Sequence, residues 1–316
     1  MKRILLSLLF LTSLNIQAQM WTWMKGSDTL TQIGVYGTIG VSSPTNNPGS
    51  RHGAATWTDA SGNLWLFGGE GLTTTTTLCW LNDMWKFDVI TNEWTCMRGT
   101  NLPNQNGIYG TQGVPSPTNQ PGAREFMCTW IDAAGNFWMY GGDGFPAAGG
   151  IGNLNDLWRY NPITNEWTWM KGSNTLINQS GTYGTINVSA PSNTPGGRIG
   201  PCSWTDNNGK LWMFAGFGYA ASTSGNLNDL WRYDPLTNEW TWKHGTNISN
   251  QYGNYGIQSV ASTTNNPGGR EFTASWKDAS GDLWLFGGGG YPAIGLQGHL
   301  NDLWKYTPGT DEWTWM

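Results

Sequence analysis

The chain has 316 residues, of which only 12% are charged, and it contains 45 glycines, 22 tryptophans and a formal net charge of -5 at pH 7. So few charges argue against coiled coils and helical bundles, and 16 Lys and Arg against 21 Asp and Glu provide no basic surface for nucleic acid. The aromatic residues, 14% of the chain, are too many for a disordered protein and supply apolar area for a core.

The first 18 residues resemble a secretory signal peptide. Lys2 and Arg3 precede an apolar run over residues 4–14, and a polar stretch follows that ends at Ala18. A membrane-spanning helix needs about 20 apolar residues, so this run is too short to be one, and no later segment comes close. We therefore expect export, cleavage near Ala18, no membrane span, and a secreted or cell-surface domain over residues 19–316.

Export permits disulfides, but the positions of the four cysteines do not favour a disulfide framework. Cys128 and Cys202 occupy equivalent places, each two residues before a tryptophan, where other copies of the repeat have alanine. Cys96 stands where other copies have tryptophan, and Cys79 lies in a variable segment. The first pair is therefore expected to act as small buried residues, with the redox state of all four left open.

A repeat of 73 residues dominates the sequence. Tryptophans recur at this spacing, and LNDMW or LNDLW begins at four positions with the same spacing. The tryptophans are Trp21, Trp94, Trp167, Trp240 and Trp313. Four complete copies are expected at residues 51–97, 124–170, 198–243 and 270–316, and the string WTWM at residues 21–24 is expected to form an extra strand.

Each copy predicts four antiparallel strands. In the first copy, residues 51–58 precede a turn of Asp and Gly, and residues 63–67 form an apolar run that ends at Gly68 and Gly69. After a variable stretch, the side chains of residues 81–87 alternate in character, as expected of a strand with two different faces. A second turn leads to residues 93–97. No stretch of helical length shows a 3.6-residue period.

Stacking such units around an axis buries their faces, so the repeat predicts an all-β fold of the β-propeller type. The second strands, LWLF and FWMY, are apolar throughout, as expected of a strand between neighbouring blades. Arg51, the FGG string, LNDMW, Phe87 and Trp94 resemble the kelch motif. That resemblance implies a kelch-type propeller similar in fold to galactose oxidase. It leaves the activity open, because such propellers include oxidases, epimerases and binding proteins.

The copies are longer than the roughly 50 residues of a kelch repeat. The surplus lies between the fourth strand of one copy and the first strand of the next, and it contains a tyrosine 15 residues before each repeated arginine. These are Tyr36, Tyr109, Tyr183 and Tyr255. We expect an ordered loop here. Because the sequence starts and stops within fourth-strand segments, we expect part of a larger ring, with a four-bladed ring as the alternative.

Residues present in every copy are expected to be structural. The paired glycines are expected to allow positive φ and close packing. They are Gly68, Gly69, Gly141, Gly142, Gly216, Gly287 and Gly288. The fourth-strand tryptophans Trp94, Trp167, Trp240 and Trp313 are expected to pack between blades, with sugar stacking as the alternative. Asp83 and its equivalents are expected to satisfy backbone donors, although they could also bind calcium.

The long loops share one face, which is the candidate binding face. The repeated arginines would ring the channel mouth there, either bridging backbone carbonyls of adjacent blades or binding an anion. Residues that break the repeat are the other candidates, because acidic groups and aromatic rings suit a carbohydrate. The candidates are Arg51, Arg124, Arg198, Arg270, Glu70, Glu125, Asp143, Glu271, Trp80, Tyr219 and Tyr291. An ordinary polar channel mouth that holds water is the alternative.

No catalytic set stands out. The three histidines lie in different contexts, which does not favour a copper site, and nothing in the sequence fixes the separation of any carboxylate pair. No metal or cofactor is therefore expected. We expect a noncatalytic binding module for a glycan or a protein. The alternatives are a carbohydrate-active enzyme of oxidase, epimerase or glycosidase type, with part of its site elsewhere, and a scaffold within a larger surface protein.

Overall fold

The computed structural model describes residues 21–316, and the expected signal peptide lies outside them. The described residues form an all-β structure in which no helix occurs, and so none that could cross a membrane. The strands fall into four consecutive units of similar topology, here called units 1 to 4, which begin at Arg51, Arg124, Arg198 and Arg270.

The first two units have seven strands each. Unit 1 contains β1 (Arg51–His52), β2 (Ala55–Thr58), β3 (Leu64–Phe67), β4 (Glu70–Leu72), β5 (Leu78–Trp80), β6 (Met84–Asp88) and β7 (Glu93–Arg98). Unit 2 contains β8 (Arg124–Glu125), β9 (Cys128–Ile131), β10 (Phe137–Tyr140), β11 (Asp143–Gly144), β12 (Gly152–Asn153), β13 (Leu157–Asn161) and β14 (Glu166–Lys171).

The third unit repeats this pattern, whereas the fourth has fewer and longer strands. Unit 3 contains β15 (Arg198–Ile199), β16 (Cys202–Thr205), β17 (Leu211–Phe214), β18 (Phe217–Tyr219), β19 (Ser224–Asn226), β20 (Leu230–Asp234) and β21 (Glu239–His244). Unit 4 contains β22 (Arg270–Glu271), β23 (Ala274–Lys277), β24 (Leu283–Gly290), β25 (Gly298–Thr307) and β26 (Glu312–Trp315).

Each of units 1 to 3 consists of a four-stranded antiparallel sheet and a short three-stranded sheet, which we call the hairpin sheet. In unit 1 the first has the order β2-β3-β6-β7 and the hairpin sheet has the order β1-β4-β5. The predicted four strands are therefore present. The connection between the second and third strands, expected to be a loop, instead continues the strands as β4 and β5.

A pair of residues with positive φ separates the two sheets. Gly68 and Gly69 have φ values of 67° and 92°, and the same region is occupied by the equivalent pairs of the other units. A Cβ on Gly68 would lie 2.7 Å from the carbonyl oxygen of Arg124 in the next unit. Both expected reasons for glycine, the left-handed backbone and the close packing, are thus confirmed here.

The units stack face to face through aromatic side chains. The ring of Trp57 stacks on Phe137 of unit 2 at 5.3 Å between centroids, and Phe67 contacts Trp167 at 5.4 Å. The corresponding contacts are Tyr140 with Trp240 and Phe214 with Trp313. The fourth-strand tryptophans of units 2 to 4 are fully buried in these interfaces, as expected of residues that pack between units. Trp94 of unit 1, for which the described residues supply no preceding unit, is only partly buried.

Burial of the second strands follows the position of the unit in the stack. All four residues of β10 and of β17 are buried, because units 2 and 3 have a neighbour on each side. In unit 1, Leu64 of the second strand is 45% exposed. In unit 4, Trp276 of the adjacent strand β23 is 45% exposed on the opposite face. Within the described residues, units 1 and 4 therefore each have one apolar face that no other unit covers.

Hydrogen bonds between units join consecutive units in the described part of the chain. The amide of Phe126 donates to Gly53, that of Gly200 to Phe126, and that of Phe272 to Gly200. Four antiparallel units stacked in this way fit the blades of a β-propeller. Within residues 21–316 no sheet closes on itself.

Residues 21–24 differ from expectation, because they are not in a strand. Trp21 and Trp23 are exposed, whereas their equivalents in unit 2, Trp167 and Trp169, lie in β14. In the complete units the fourth strand pairs with the third strand of the same unit, as β7 does with β6. Within residues 21–316, no strand pairs with residues 21–24, so the sequence string alone does not make a strand.

The long connections before each unit are ordered loops, as expected. Residues 25–50 lie along β7, the outermost strand of unit 1, where the amides of Gly40 and Ser43 donate to the carbonyls of Cys96 and Trp94. Equivalent bridges occur at Ser116, Ala190 and Ser262. Each connection therefore covers the edge strand of the unit that it precedes, which would otherwise present unpaired backbone groups.

The four cysteines are buried, and none forms a disulfide. Cys128 and Cys202 lie in the core between units 2, 3 and 4. Burial raises the pKa of the Cys96 thiol to about 12, with a further contribution from the Asp83 carboxylate. These side chains therefore pack as small apolar groups and are poor nucleophiles.

Candidate functional site

The repeated arginine of each unit belongs to a buried polar cluster, here called a strut. In unit 1 the guanidinium of Arg51 donates to both carboxylate oxygens of Asp83, at 2.6 and 2.8 Å. Asp83 also accepts hydrogen bonds from the hydroxyl of Tyr36 and the indole N–H of Trp85, each at 2.8 Å. The repeated arginine, aspartate, tyrosine and tryptophan of the sequence thus meet in one place.

The same strut occurs in every unit. The tyrosine hydroxyls of units 2, 3 and 4 donate to the aspartate at 2.6, 2.6 and 2.5 Å. The other three struts contain Arg124 with Asp156, Arg198 with Asp229, and Arg270 with Asp302. Burial acts to raise the pKa of Asp83 and of Asp302, but the paired guanidinium and its hydrogen bonds hold each pKa below its usual value.

The struts correct two expectations about the repeated residues. The side chains of all four arginines are buried, with that of Arg51 only 7% exposed, so they present no surface to an anion. Arg51 does bridge backbone carbonyls, but those of Gly49 and Gly68, within its own unit and its preceding connection and not between units. Both oxygens of Asp83 are engaged by protein donors, which disfavours calcium at this position.

Residues that break the repeat are aligned by the register of the hairpin sheets. In unit 1, Glu70 of β4 lies opposite His52 of β1 on one side and Trp80 of β5 on the other. We call such a set the row of a unit. The other rows are Glu125, Asp143 and Asn153 in unit 2, Ile199, Phe217 and Asn226 in unit 3, and Glu271, Gly289 and His299 in unit 4.

At the junction of units 1 and 2, three row residues meet. Nε2 of His52 lies 3.7 Å from a carboxylate oxygen of Glu70 and 3.5 Å from one of Glu125. The three atoms all lie within 4.8 Å of one another, and we call this set the His52 cluster. The ring of Phe126 contacts the imidazole edge-on at 5.8 Å. The imidazole side is open, because the His52 side chain is 59% exposed.

Glu125 is the most buried member of this cluster. Its side chain is only 10% exposed, and its Oε2 atom has no hydrogen-bond partner. Burial raises the pKa of Glu125, the charge of Glu70 raises it further, and His52 opposes the shift. The indole N–H of Trp80 lies close to this carboxylate but does not reach hydrogen-bonding geometry. Burial also raises the pKa of Asp143 beside Glu125.

The predicted candidates do not all belong to one site. Glu70, Trp80 and Glu125 come together at the junction of units 1 and 2, and Asp143 lies beside Glu125 on the paired strand β11 of unit 2. The ring of Trp80 also contacts Phe145 at 6.2 Å. The remaining candidates lie in other units. Glu271 and Tyr291 are in unit 4, where Tyr291 contacts Tyr252, and Tyr219 is in unit 3.

His52 breaks the repeat in the sequence but is not among the predicted binding residues. It follows Arg51 directly, at the position that Glu125 occupies in unit 2, so both residues break the repeat at the same place. The missing information was the register beyond Gly68 and Gly69, which pairs His52 with Glu70. A hairpin that continues past the glycines brings these two side chains together, whereas a loop does not.

Comparison with known proteins gives no assignment. No protein-family model matches the chain, and no curated protein matches it either.

Proposed function

We propose that this chain is a noncatalytic binding module, built as a kelch-type β-propeller, that is secreted or held at the cell surface and binds a glycan at the junction of units 1 and 2. One observation carries the proposal. At this junction the register of the hairpin sheets brings the unrepeated residues Glu70, Trp80 and Glu125 together, while the repeated polar residues bond one another in the struts.

The chemistry of the junction suits a ligand rich in hydroxyl groups. Glu70, Glu125 and Asp143 supply carboxylate oxygens that accept hydrogen bonds, and charged acceptors bind more strongly than neutral ones. Trp80 supplies an aromatic ring that is partly exposed and an indole N–H without a partner. An aromatic face beside polar acceptors is the combination with which proteins hold sugar rings.

The test is glycan binding by the purified chain and by single variants. Trp80→Ala and Asp143→Asn should each weaken binding of any glycan found on an array by at least about 10-fold, because each removes a direct contact. His299→Ala is the matched control, since His299 holds the position of Trp80 in unit 4, and it should leave the affinity unchanged. Equal loss in all three variants, or no glycan ligand at all, would contradict the proposal.

A second candidate function is hydrolysis of a glycosidic bond, and one observation favours it. Carboxylate oxygens of Glu70 and Glu125 lie within 4.8 Å of each other, close to the roughly 5 Å between the two carboxyl groups of retaining glycosidases. The raised pKa of Glu125 suits a general acid. Release of reducing ends from oligosaccharides, abolished in Glu125→Gln and in Glu70→Gln, would establish this activity in place of simple binding.

A further inference from the structure

The His52 cluster combines one imidazole nitrogen with two carboxylate oxygens on three different strands, β1, β4 and β8. His52 and Glu70 lie opposite each other on the paired strands β1 and β4 of unit 1, and Glu125 of unit 2 lies next to them. The three groups therefore converge by the folding of two units and not by proximity in sequence. We propose that His52, Glu70 and Glu125 bind a divalent transition-metal cation such as Zn²⁺.

The distances from His52 to the two carboxylates fit a shared cation, and all three atoms lie within 4.8 Å of one another. Ligand atoms about 2.0–2.1 Å from a tetrahedral zinc ion lie roughly 3.3 Å from one another. The distances from Nε2 of His52 to the two carboxylates, 3.5 and 3.7 Å, are close to that value. They are too long for hydrogen bonds, so the three groups are adjacent without satisfying one another.

A buried atom without a partner points into the cluster. Oε2 of Glu125 is shielded from solvent, accepts no hydrogen bond, and is the atom that approaches His52. A buried carboxylate oxygen without a partner costs free energy, and an ion is one of the few groups that remove this cost. The indole N–H of Trp80 lies where it can donate to the Glu125 carboxylate once that group is fixed by a metal.

The other junctions of the chain share the scaffold but lack the ligands. At the junction of units 2 and 3, Glu125 and Asp143 occupy the positions that His52 and Glu70 hold in unit 1, and Ile199 occupies the position of Glu125. Between units 3 and 4, Ile199 and Phe217 stand where His52 and Glu70 stand in unit 1, and Glu271 takes the place of Glu125. Packing alone does not require the three ligands, because two junctions are built without them.

The ligand types select the class of cation. Imidazole nitrogen with carboxylate oxygen suits zinc and its neighbours in the first transition series. Calcium prefers six to eight oxygen ligands, and the cluster offers two carboxylates and a nitrogen. Three protein ligands leave the fourth position of a tetrahedral site open, on the side where His52 is exposed.

Cobalt binding tests the site directly, and it needs no glycan, so its outcome is separate from that of the proposed function. The purified chain, without an affinity tag and freed of metal by a chelator, is titrated with Co²⁺ while its visible absorption and calorimetric heat are recorded. We expect one Co²⁺ per chain, an absorption spectrum typical of tetrahedral or five-coordinate cobalt with a nitrogen ligand, and displacement by Zn²⁺.

Three variants decide which residues hold the ion. His52→Ala and Glu125→Gln should each weaken binding by at least about 100-fold, since loss of an outer-shell partner alone costs 10- to 100-fold. Glu271→Gln is the matched control and should bind as the wild type does, because Glu271 has the same repeat position without the histidine partner. Circular dichroism and thermal unfolding verify that each variant is folded.

Two results would overturn the proposal. One is the absence of saturable binding of Co²⁺ to the folded wild-type chain. The other is binding that folded His52→Ala and Glu125→Gln retain at the wild-type affinity, which would place the ion elsewhere on the surface.

Discussion

The struts and the His52 cluster are built from similar side chains but differ in how completely those side chains are satisfied. In the strut of unit 2, Arg124 and Asp156 form an ion pair at 2.6 Å and both side chains are fully buried. The Asp156 carboxylate also accepts hydrogen bonds from the hydroxyl of Tyr109 and the indole N–H of Trp158. In the His52 cluster, the shortest contact is 3.5 Å and one buried oxygen has no partner. The polar groups of the strut are therefore all bonded within the protein, whereas the His52 cluster has a buried oxygen that can still bind a ligand.

Their positions in the fold explain the difference. A strut joins the first and third strands of one unit to the connection that precedes it, so it is needed wherever the unit is repeated. The His52 cluster lies between two units, where only the row residues differ from one junction to the next. Repetition thus identifies the groups that hold a unit together, and interruption of the repeat identifies the groups free for another role.

The largest effect is expected from breaking an interior strut. Asp156→Asn keeps the shape of the side chain but leaves the buried guanidinium of Arg124 without a counter-charge. Loss of one partner of a buried ion pair typically costs 3–5 kcal/mol, so the free energy of unfolding should fall by about 4 kcal/mol in urea denaturation. A loss below about 1 kcal/mol would show that the strut does not stabilise the unit.

A smaller effect is expected from removing one hydrogen bond of the same strut. Tyr109→Phe deletes the hydroxyl that donates to Asp156 at 2.6 Å and should lower the free energy of unfolding by about 1–2 kcal/mol. Tyr252→Phe is the control, because the Tyr252 hydroxyl bonds a carbonyl at an exposed position. Its effect should stay within about 0.5 kcal/mol, and equal losses in the two variants would contradict the distinction.

The smallest effect, with the opposite sign, is expected at the row position of unit 4. Burial raises the pKa of Glu271, so its ionised form is less favourable in the folded chain than in the unfolded one. Glu271→Gln should therefore stabilise the protein at pH 7 by less than about 1 kcal/mol.

The pH dependence of this gain checks its cause. As the pH falls through the raised pKa, folded wild type takes up the proton before the unfolded chain does, so wild-type stability rises relative to the variant. The advantage of Glu271→Gln should shrink below neutral pH and vanish below the unfolded pKa of about 4.3. An advantage that is the same at pH 4 and pH 7 in thermal or urea unfolding would rule out titration of Glu271 as its origin.

Much of the fold can be read from the sequence because the repeat supplies the same pattern four times. The four strands, the glycine kink and the packing of Trp167 between units all follow from residues that recur at fixed spacing. The failure at residues 21–24 has the opposite cause, because a strand also needs a partner, and one string of letters does not show whether a partner is present.

The polar network could not be read in the same way. The repeat marks Arg51, Asp83 and Tyr36 individually, but Tyr36 lies 15 residues before Arg51 and Asp83 lies 32 residues after it. Their contact therefore depends on how the connection folds over the unit. The sequence predicts only part of the candidate site, for a similar reason. Glu70, Trp80 and Glu125 break the repeat visibly, whereas their alignment with His52 depends on a register beyond two glycines.

The uncovered faces of units 1 and 4 bear on how such an array can change in length. Leu64 and Leu66 lie on the face of unit 1 that corresponds to the faces with which units 2 to 4 contact the preceding unit. Trp276 and Trp284 lie on the face of unit 4 that corresponds to the faces with which units 1 to 3 contact the following unit. A duplication of one 73-residue stretch of the gene would add a unit whose two sides already match those beside it. The number of units can therefore change without the evolution of a new packing surface. Substitutions in the row of a single unit can then change which ligand the protein binds.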